Sequence, residues 1–237
     1  PPRIPKNVKE AQDELDPYTN EARAYHCIDM SCTSSERTYY PEFHGVITDL
    51  GISKFTYGFI NPQAIVLESI RLKLASRRIL AAHGEDNCEI QNQLNHSGLS
   101  DFELEYYHSL FHDRIRRLLV LHKLGITHGD VRDDHFRLPG DLYDTVLYDF
   151  SYLYTFSSVM PYLVNFRPPC SLKMISDYEQ TMVKQQIYER AKNLDFHNHL
   201  EKSSGLTQAM LIDTLFQLLK DELLKLIILR VNFRPDS

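Results

Sequence analysis

The pattern of apolar and polar positions divides the chain into a mixed first part and a mainly helical second part. A helix is predicted over residues 17–28, because apolar side chains recur there at helical spacing, with Thr19 or Asn20 as the cap. Two runs rich in aliphatic residues follow, Phe43–Ile47 and residues 64–70, with Gly, Asn and Pro between them. Runs of this kind, bounded by turn residues, predict short strands.

Helical spacing dominates the rest of the chain. The most clearly marked helix begins at Ser100, which forms a capping box with Glu103, and ends at Gly125 after a basic last turn. The apolar residues behind the cap recur on one face, so this helix is expected to be long and packed on one side. The other segments predicted to be helical are residues 72–82, 177–194 and 207–230.

The segments around these helices complete the predicted plan. Residues 84–98 are polar and are predicted to be a connection, and short strands are predicted around residues 135–138 and 145–148. The basic pair Arg116 and Arg117 is predicted to lie on an exposed helix face and to make surface ion pairs. A helix and strands followed by a mostly helical half predict an α+β, two-lobed fold.

Composition limits the classes of function that fit. The 237 residues are 43% hydrophobic, which is enough for a sizeable core in one large domain or two lobes. With 26 basic and 32 acidic side chains the net charge is -6, which argues against a nucleic-acid partner because that requires a basic surface. The longest apolar run, residues 223–231, contains Lys225 and Arg230 and is too short to span a bilayer.

The four cysteines predict a reducing compartment. None of them forms a C-x-x-C pair, so neither a zinc knuckle nor a disulfide framework is indicated, and no signal peptide is present at the polar start. We therefore expect a cytoplasmic or nuclear protein that is not secreted and has no membrane partner. Because the chain begins with Pro-Pro rather than Met, it is expected to be a fragment of a longer protein.

The segment with candidate chemistry follows the capped helix. It reads His128-Gly-Asp130, has His135 a short distance further on, and continues to Asp149-Phe-Ser151. The interval between the two aspartates is long enough for two strands and a turn, which would bring both carboxylates to one cleft.

This segment resembles the protein-kinase-like superfamily, in which a long helix leads to H-x-D-x-x-x-x-N and a later strand leads to D-F-G. The His-Gly-Asp form is similar to that of aminoglycoside-phosphotransferase-type kinases and fungal kinase-like proteins. The resemblance covers residues 17–160. It implies a polar segment at 1–16, a truncated kinase-like N-lobe at 17–70 and a mainly helical C-lobe at 71–237.

The resemblance also implies an ATP-dependent phosphotransferase that uses Mg²⁺ and acts on a hydroxyl of an unknown protein or small molecule. In this interpretation Asp130 accepts or orients the proton of the acceptor hydroxyl, and Arg132 supports the γ-phosphate. Asp149 and His135 are the implied metal ligands, while His128 braces the loop.

Further roles are implied upstream of the motif. Glu21 corresponds to the glutamate of kinase helix C, which pairs with a strand Lys. Leu67 corresponds to the gatekeeper position, and Glu68 and Ile70 lie in the implied hinge, whose backbone would contact adenine.

Three departures from the family pattern favour an alternative, a pseudokinase or scaffold that binds partners without catalysis. No Gly-rich phosphate loop is present, and Lys6 is the only lysine within reach of the strand position. His135 replaces an Asn ligand, although imidazole is a poorer partner for Mg²⁺ than an oxygen is, and Ser151 replaces a Gly. A third interpretation, a helical interaction protein without a nucleotide cleft, predicts that Asp130 and Asp149 lie far apart.

Overall fold

The structure, a computed structural model, describes residues 7–9, 16–51, 62–70, 88–138, 144–156 and 170–193, together with residues 195, 196 and 198. The helices predicted over residues 72–82 and 207–230 lie outside these ranges. The chain divides into two compact units, Pro1–Glu189 and Arg190–Ser237. The predicted boundary between lobes at residue 70 stays a prediction. In the second unit Arg190 forms an ion pair with Asp195, with 3.0 Å between Nε and Oδ2.

The first described helix, α1 (Pro17–Ser31), confirms the helix predicted there but not its cap. The carboxylate of Asp16 accepts a hydrogen bond from the backbone N–H of Thr19, so Asp16 is the N-cap, and Thr19 and Asn20 lie in the first turn. The reason is local: Pro17 occupies the first helical position, where a missing N–H costs nothing, so the capping oxygen comes from the residue before it.

A small sheet follows α1. The short helix α2 (Ser34–Arg37), with a capping box of its own, leads to strand β1 (Phe43–Ile47), which pairs antiparallel with β2 (Ala64–Leu67). The first predicted strand is thus confirmed, and the second ends at Leu67 rather than at residue 70. Helix α1 packs on this sheet, where the rings of Tyr25 and Phe43 stack with centroids 6.0 Å apart.

The polar connection predicted over residues 84–98 is wrong in part, since helix α3 (Cys88–Asn95) lies within it. Ile90 and Leu94 explain the difference: they lie four residues apart, on one face, and both are buried. Two apolar side chains among polar neighbours give a weak sequence pattern, but they are enough to pack α3 against the next helix.

Helix α4 (Asp101–Lys123) confirms the predicted capping box, with Ser100 and Glu103 each accepting from the other's backbone N–H. The helix ends where predicted, and Gly125 turns the chain out of it with a φ of 74°. The expected exposure of Arg117 is wrong. Its side chain is buried and pairs with Asp113 one turn earlier on the same helix.

The chain after α4 forms a turn rather than the predicted strand pair. Strand β3 (Ile126–Thr127) pairs antiparallel with β4 (Tyr154–Thr155), and a 3-10 turn occupies Asp133–His135. Residues 135–138 and 145–148 are not strands. Two separate backbone hydrogen bonds join these segments instead, from Thr145 to Phe136 and from Tyr148 to His135. A two-residue strand is too short to show an alternating pattern, so β3 and β4 were not predicted.

Helix α5 (Leu172–Lys192) confirms the helix predicted over residues 177–194, although it begins earlier. The core of the first unit combines residues of α1, α3, α4 and the segments around β3. Its largest fully buried apolar side chains are Tyr25, Tyr40, Tyr107, Phe136, Phe150, Ile90, Leu94, Leu118, Leu121 and Ile126. The described residues form an α+β fold with two small sheets. No helix among them is long and apolar enough to cross a membrane.

Candidate active site

The loop that follows β3 begins with a buried histidine. Nε2 of His128 lies 3.0 Å from the carbonyl oxygen of Tyr148. Because a carbonyl only accepts, this nitrogen carries the proton, and Nδ1 has no hydrogen-bond partner among the described residues. Burial lowers the pKa of His128, so the ring is neutral at pH 7. The ring therefore joins the loop to the segment that carries Asp149.

Gly129 lies where no other residue fits. Its φ is 80°, and a Cβ built on it would collide with the carbonyl oxygen of Tyr152. Its backbone N–H donates to Oε1 of Glu179 over 2.8 Å. The loop is thus held between helix α5 on one side and the segment leading to β4 on the other.

Glu179 also joins a buried hydrogen-bond chain. Its Oε2 lies 2.7 Å from Nε2 of His122, and Nδ1 of that ring lies 2.6 Å from the hydroxyl of Ser176. A Ser–His–Glu order is the connectivity of a hydrolytic triad. All three side chains are buried, however, so no substrate carbonyl reaches the Ser176 hydroxyl. We assign these hydrogen bonds a structural role. They join α5 to α4 through His122, and they join α5 to the loop through Gly129.

Arg114 attaches the turn at Asp133–His135 to α4. Its side chain is fully buried and forms two hydrogen bonds with Asp144, of 2.6 and 2.8 Å, and one of 2.7 Å with Asp133. The guanidinium also lies 4.5 Å from the ring centroid of Phe136. Burial alone would lower the pKa of Arg114, but Asp144 and Asp133 more than offset it and raise the pKa. The charge is therefore permanent, and it fixes the base of the site.

His135 lies at the centre of the candidate site. Its Nδ1 lies 2.8 Å from the backbone carbonyl oxygen of Asp130, so this nitrogen carries the proton of the neutral ring. The lone pair of Nε2 then faces Oδ2 of Asp149 at 3.3 Å and accepts a hydrogen bond of 2.6 Å from Nη2 of Arg132. One imidazole therefore contacts the loop at Asp130 and the acidic side chain at Asp149.

Arg132 bridges the two sides of this group. Its Nε lies 3.1 Å from Oδ2 of Asp130 and 3.8 Å from Oδ1 of Asp134, while its Nη2 contacts His135. The side chain is 53% exposed, in contrast to the buried imidazole. The guanidinium thus contacts two of the predicted site residues, Asp130 and His135.

Asp149 has an unusual backbone conformation and a depressed pKa. Its φ of 66° is in the left-handed region, which costs a non-glycine residue about 1–2 kcal/mol. Ser151 supports it, since its hydroxyl donates to Oδ1 over 2.6 Å. Burial raises the pKa of Asp149, but the hydrogen bonds from Ser151 help to lower it below its ordinary value. The carboxylate is ionised at neutral pH, and the Ser151 hydroxyl orients it.

Glu21 reaches the same segment from α1. Its Oε1 accepts a hydrogen bond of 3.3 Å from the backbone N–H of Phe150, whose ring packs edge-on against Tyr25 at 5.0 Å. Burial raises the pKa of Glu21, the Phe150 N–H partly offsets this, and the charge of Asp149 adds to the increase. No basic side chain in the described part of the chain pairs with Glu21.

Leu67, assigned to the gatekeeper position, ends β2, and the assigned hinge residues Glu68 and Ile70 follow it. Leu67 pairs with Phe43 across the sheet. The backbone N–H of Glu68 donates to the carbonyl oxygen of Glu42 over 3.0 Å, and its side chain accepts from the N–H of the same residue. Ile70 is half-buried. The sheet contacts the site through Tyr25, which touches both Phe43 and Phe150.

The structure thus brings six of the predicted site residues into one group: Glu21, His128, Asp130, Arg132, His135 and Asp149. Two residues that hold this group in place, Glu179 and Arg114, were not predicted. Glu179 had a signal in the sequence, since it interrupts a buried apolar series at four-residue spacing that contains Ile175, Val183 and Ile187.

The donor atoms of this group do not match Mg²⁺ well. Mg²⁺ prefers an octahedron of oxygen ligands, whereas the two protein donors that face each other are an imidazole nitrogen and a carboxylate oxygen. The described residues contain no group of three or more His, Cys, Asp and Glu side chains placed to hold a metal ion. Any ion bound between His135 and Asp149 would need further ligands from a substrate or from water.

Comparison with known proteins gave no relative. No protein-family model matches this chain, and neither a curated protein nor a solved structure matches it.

Proposed function

We propose that this chain is a kinase-like phosphotransferase of two-lobed fold that transfers the γ-phosphate of ATP to a hydroxyl of a protein or small molecule. The observation that carries the proposal is the grouping of Asp130 and Asp149 around His135. It disagrees with a helical interaction protein, for which the two aspartates should lie far apart. Phosphoryl transfer depends on positioned charge rather than on covalent chemistry, and this group provides such charges.

Each residue of the group has a role in this proposal. Asp130 orients the acceptor hydroxyl and takes its proton, since its carboxylate is partly exposed at the edge of the loop. Arg132 binds a phosphate oxygen once it leaves Asp130. A divalent ion held by Asp149 and His135 would neutralise charge on the nucleotide phosphates. Glu21 and His128 hold the backbone on either side of Asp149.

Adenine would contact the backbone after β2, where Glu68 and Ile70 lie, with Leu67 at the end of the strand as the gatekeeper. Strand β1 and helix α1 connect that segment to Phe150 through one aromatic contact each. We also propose a cytoplasmic or nuclear location, because none of the four cysteines forms a C-x-x-C pair.

A second candidate, a pseudokinase or scaffold, is favoured by two observations. Arg132 pairs with Asp130 and with His135 at once, so the proposed base and one proposed ligand are already engaged. In addition, Glu21 has no basic partner in the described ranges, although kinases of this type pair the corresponding residue with a Lys. Both candidates share the same fold and differ in whether phosphate is transferred.

The test is calorimetric titration of ATP into the chain with Mg²⁺, with Mn²⁺ and without a divalent ion. We expect binding that requires a divalent ion and that Asp149→Ala abolishes. The matched control is Asp29→Ala, which removes an exposed carboxylate of α1. An absence of ATP binding under all three conditions would contradict the phosphotransferase and favour the pseudokinase or scaffold.

Transfer of a labelled γ-phosphate separates an enzyme from a pseudokinase. For the enzyme, we expect Asp130→Asn to retain ATP binding and to lose transfer by at least 10²-fold, the usual contribution of a positioned base. Binding by the wild-type chain without transfer to any hydroxyl acceptor in a cell extract would favour the pseudokinase.

A further inference from the structure

The candidate site contains a histidine that is oriented like a metal ligand. His135 is almost fully buried, and the carbonyl of Asp130 fixes the proton on Nδ1. Ligand histidines in metal sites are usually oriented in this way, by a backbone carbonyl or a carboxylate on the other ring nitrogen. The unprotonated Nε2 is therefore oriented as a metal-donor atom by the hydrogen bond of the other ring nitrogen.

The spacing of the two donors fits a single ion. Nε2 of His135 and Oδ2 of Asp149 are 3.3 Å apart. Two adjacent ligands at right angles on an ion with bonds of about 2.1 Å are separated by about 3 Å. The Ser151 hydroxyl donates to Oδ1 of Asp149 over 2.6 Å, so the carboxylate is held with Oδ2 towards His135 and needs no rearrangement to bind a cation.

Arg132 occupies the lone pair in the present arrangement. Its Nη2 lies 2.6 Å from Nε2 of His135, which is where an ion bound to that nitrogen would be. The arginine side chain is more than half exposed, and its remaining contacts are with the partly exposed Asp130 and the exposed Asp134. It is therefore free to turn into solvent at small cost, whereas His135 is fixed.

We propose that His135 and Asp149 form a divalent-cation site that prefers Mn²⁺ and similar transition ions to Mg²⁺, and that Arg132 closes this site until a cation displaces it. The nitrogen ligand determines the preference, because imidazole suits transition ions and oxygen ligands suit Mg²⁺. This inference rests on the proposed function for the phosphate oxygens that complete the coordination shell. It adds two properties, the identity of the ion and a competing side chain.

The experiment measures Mn²⁺ binding by electron paramagnetic resonance, with inorganic pyrophosphate in place of a nucleotide. Pyrophosphate contains no nitrogen, so any ¹⁴N coupling to bound Mn²⁺ arises from the protein. We expect a ¹⁴N coupling in the wild-type chain and none in His135→Asn, whose amide retains a donor for the Asp130 carbonyl. The matched control is His26→Asn, the same change on the exposed side of α1, which should keep the coupling.

Measured affinities for Mn²⁺ and Mg²⁺ test the preference for Mn²⁺ and the competition between the cation and Arg132. We expect His135→Asn to weaken Mn²⁺ binding by about tenfold while Mg²⁺ binding is unchanged or tighter. Arg132→Gln should tighten Mn²⁺ binding by about tenfold, because it removes both a competing hydrogen bond and a like charge. A thermal melt without metal checks that each variant folds. Asp149→Asn tests the second proposed ligand, and it should reduce the affinity for both Mn²⁺ and Mg²⁺.

The outcomes separate this inference from the proposed function. Bound Mn²⁺ without ¹⁴N coupling, or no bound Mn²⁺ at all, would overturn the inference, and ATP titration would then decide the proposed function separately. Coupling to ¹⁴N in a chain that does not bind ATP would support the cation site and overturn the proposed function. Equal affinity of Arg132→Gln and the wild-type chain for Mn²⁺ would overturn the competition.

Discussion

Two arginines, Arg114 of α4 and Arg132 of the loop after β3, are both paired with carboxylates. Arg114 is completely buried, contacts Asp133 and Asp144 with well-aligned hydrogen bonds, and is covered by an aromatic ring. Arg132 is 53% exposed and is divided among Asp130, Asp134 and His135. The first has one geometry open to it, while the second has water as an alternative partner.

This difference in burial separates a charge that holds the site in place from a charge that can change its partners. A buried pair is strongly destabilised if one partner is removed, whereas an exposed pair contributes little because water replaces either partner. Burial therefore makes Arg114 part of the scaffold. Exposure leaves Arg132 able to exchange a carboxylate or an imidazole for a partner from solvent.

The largest expected effect on stability comes from Arg114→Met, and Arg132→Met is the matched change for comparison. Arg114→Met should lower the free energy of unfolding by about 3–5 kcal/mol, because it removes the guanidinium that two hydrogen bonds join to the buried carboxylate of Asp144. Arg132→Met should change it by less than about 1 kcal/mol, since its contacts are exposed to solvent. Urea denaturation of both variants measures the difference. Equal losses for the two variants would mean that burial does not distinguish these arginines.

Gly129 tests how firmly the loop is fixed between its neighbours. Gly129→Ala should destabilise the fold by about 3 kcal/mol, because a methyl group meets the Tyr152 carbonyl and the left-handed backbone is strained. Gly98→Ala is the matched control: its φ is also positive, at 68°, but its Cβ would meet nothing within 4 Å. It should cost about 1 kcal/mol, the strain alone. Thermal melts that show the same loss for both would place the loop out of contact with Tyr152.

The smallest expected effect is a pH dependence that arises from His128. Burial lowers its pKa in the folded state, where it faces Glu179, His135 and Asp149, while the unfolded side chain titrates near 6.5. Below pH 6.5 the unfolded chain binds a proton that the folded chain excludes, so stability is lost as the pH falls from 6.5 towards the folded pKa. The slope from this group is at most about 1.4 kcal/mol per pH unit.

Unfolding measured at several values between pH 5 and pH 8 checks this dependence. His128→Asn should reduce the slope in the acidic range, and His26→Asn, on the exposed face of α1, should leave it as in the wild-type chain. A wild-type slope in His128→Asn would assign the pH dependence to other groups.

Local rules predicted the elements that local interactions determine. The capping box of Ser100 and Glu103 and the stop at Gly125 involve only neighbouring residues, and both are confirmed. The strands predicted around residues 135–138 and 145–148 failed because contacts with Arg114, thirty positions before Asp144, hold that segment in a turn. Such a contact leaves no periodic trace in the sequence.

The candidate site divides in the same way. Its centre was predicted because His128, Asp130, His135 and Asp149 lie in one short motif with a recognisable spacing. Its support was not predicted, because Glu179 meets Gly129 from a helix fifty positions away. The cap of α1 shows a smaller failure: Thr19 and Asn20 have side chains that suit a cap, but the N-cap is Asp16, the residue before Pro17.

The close approach of Gly129 to Tyr152 has a consequence for how this gene tolerates mutation. Position 129 accepts one amino acid, so every missense change in its codon meets the same obstacle. At position 152 only the backbone carbonyl is involved, and the side chain is 56% exposed, so many residues serve equally well there. Two residues in contact thus differ sharply in the substitutions that they tolerate. In a saturation mutagenesis library, we expect position 152 to tolerate many substitutions and position 129 to tolerate none.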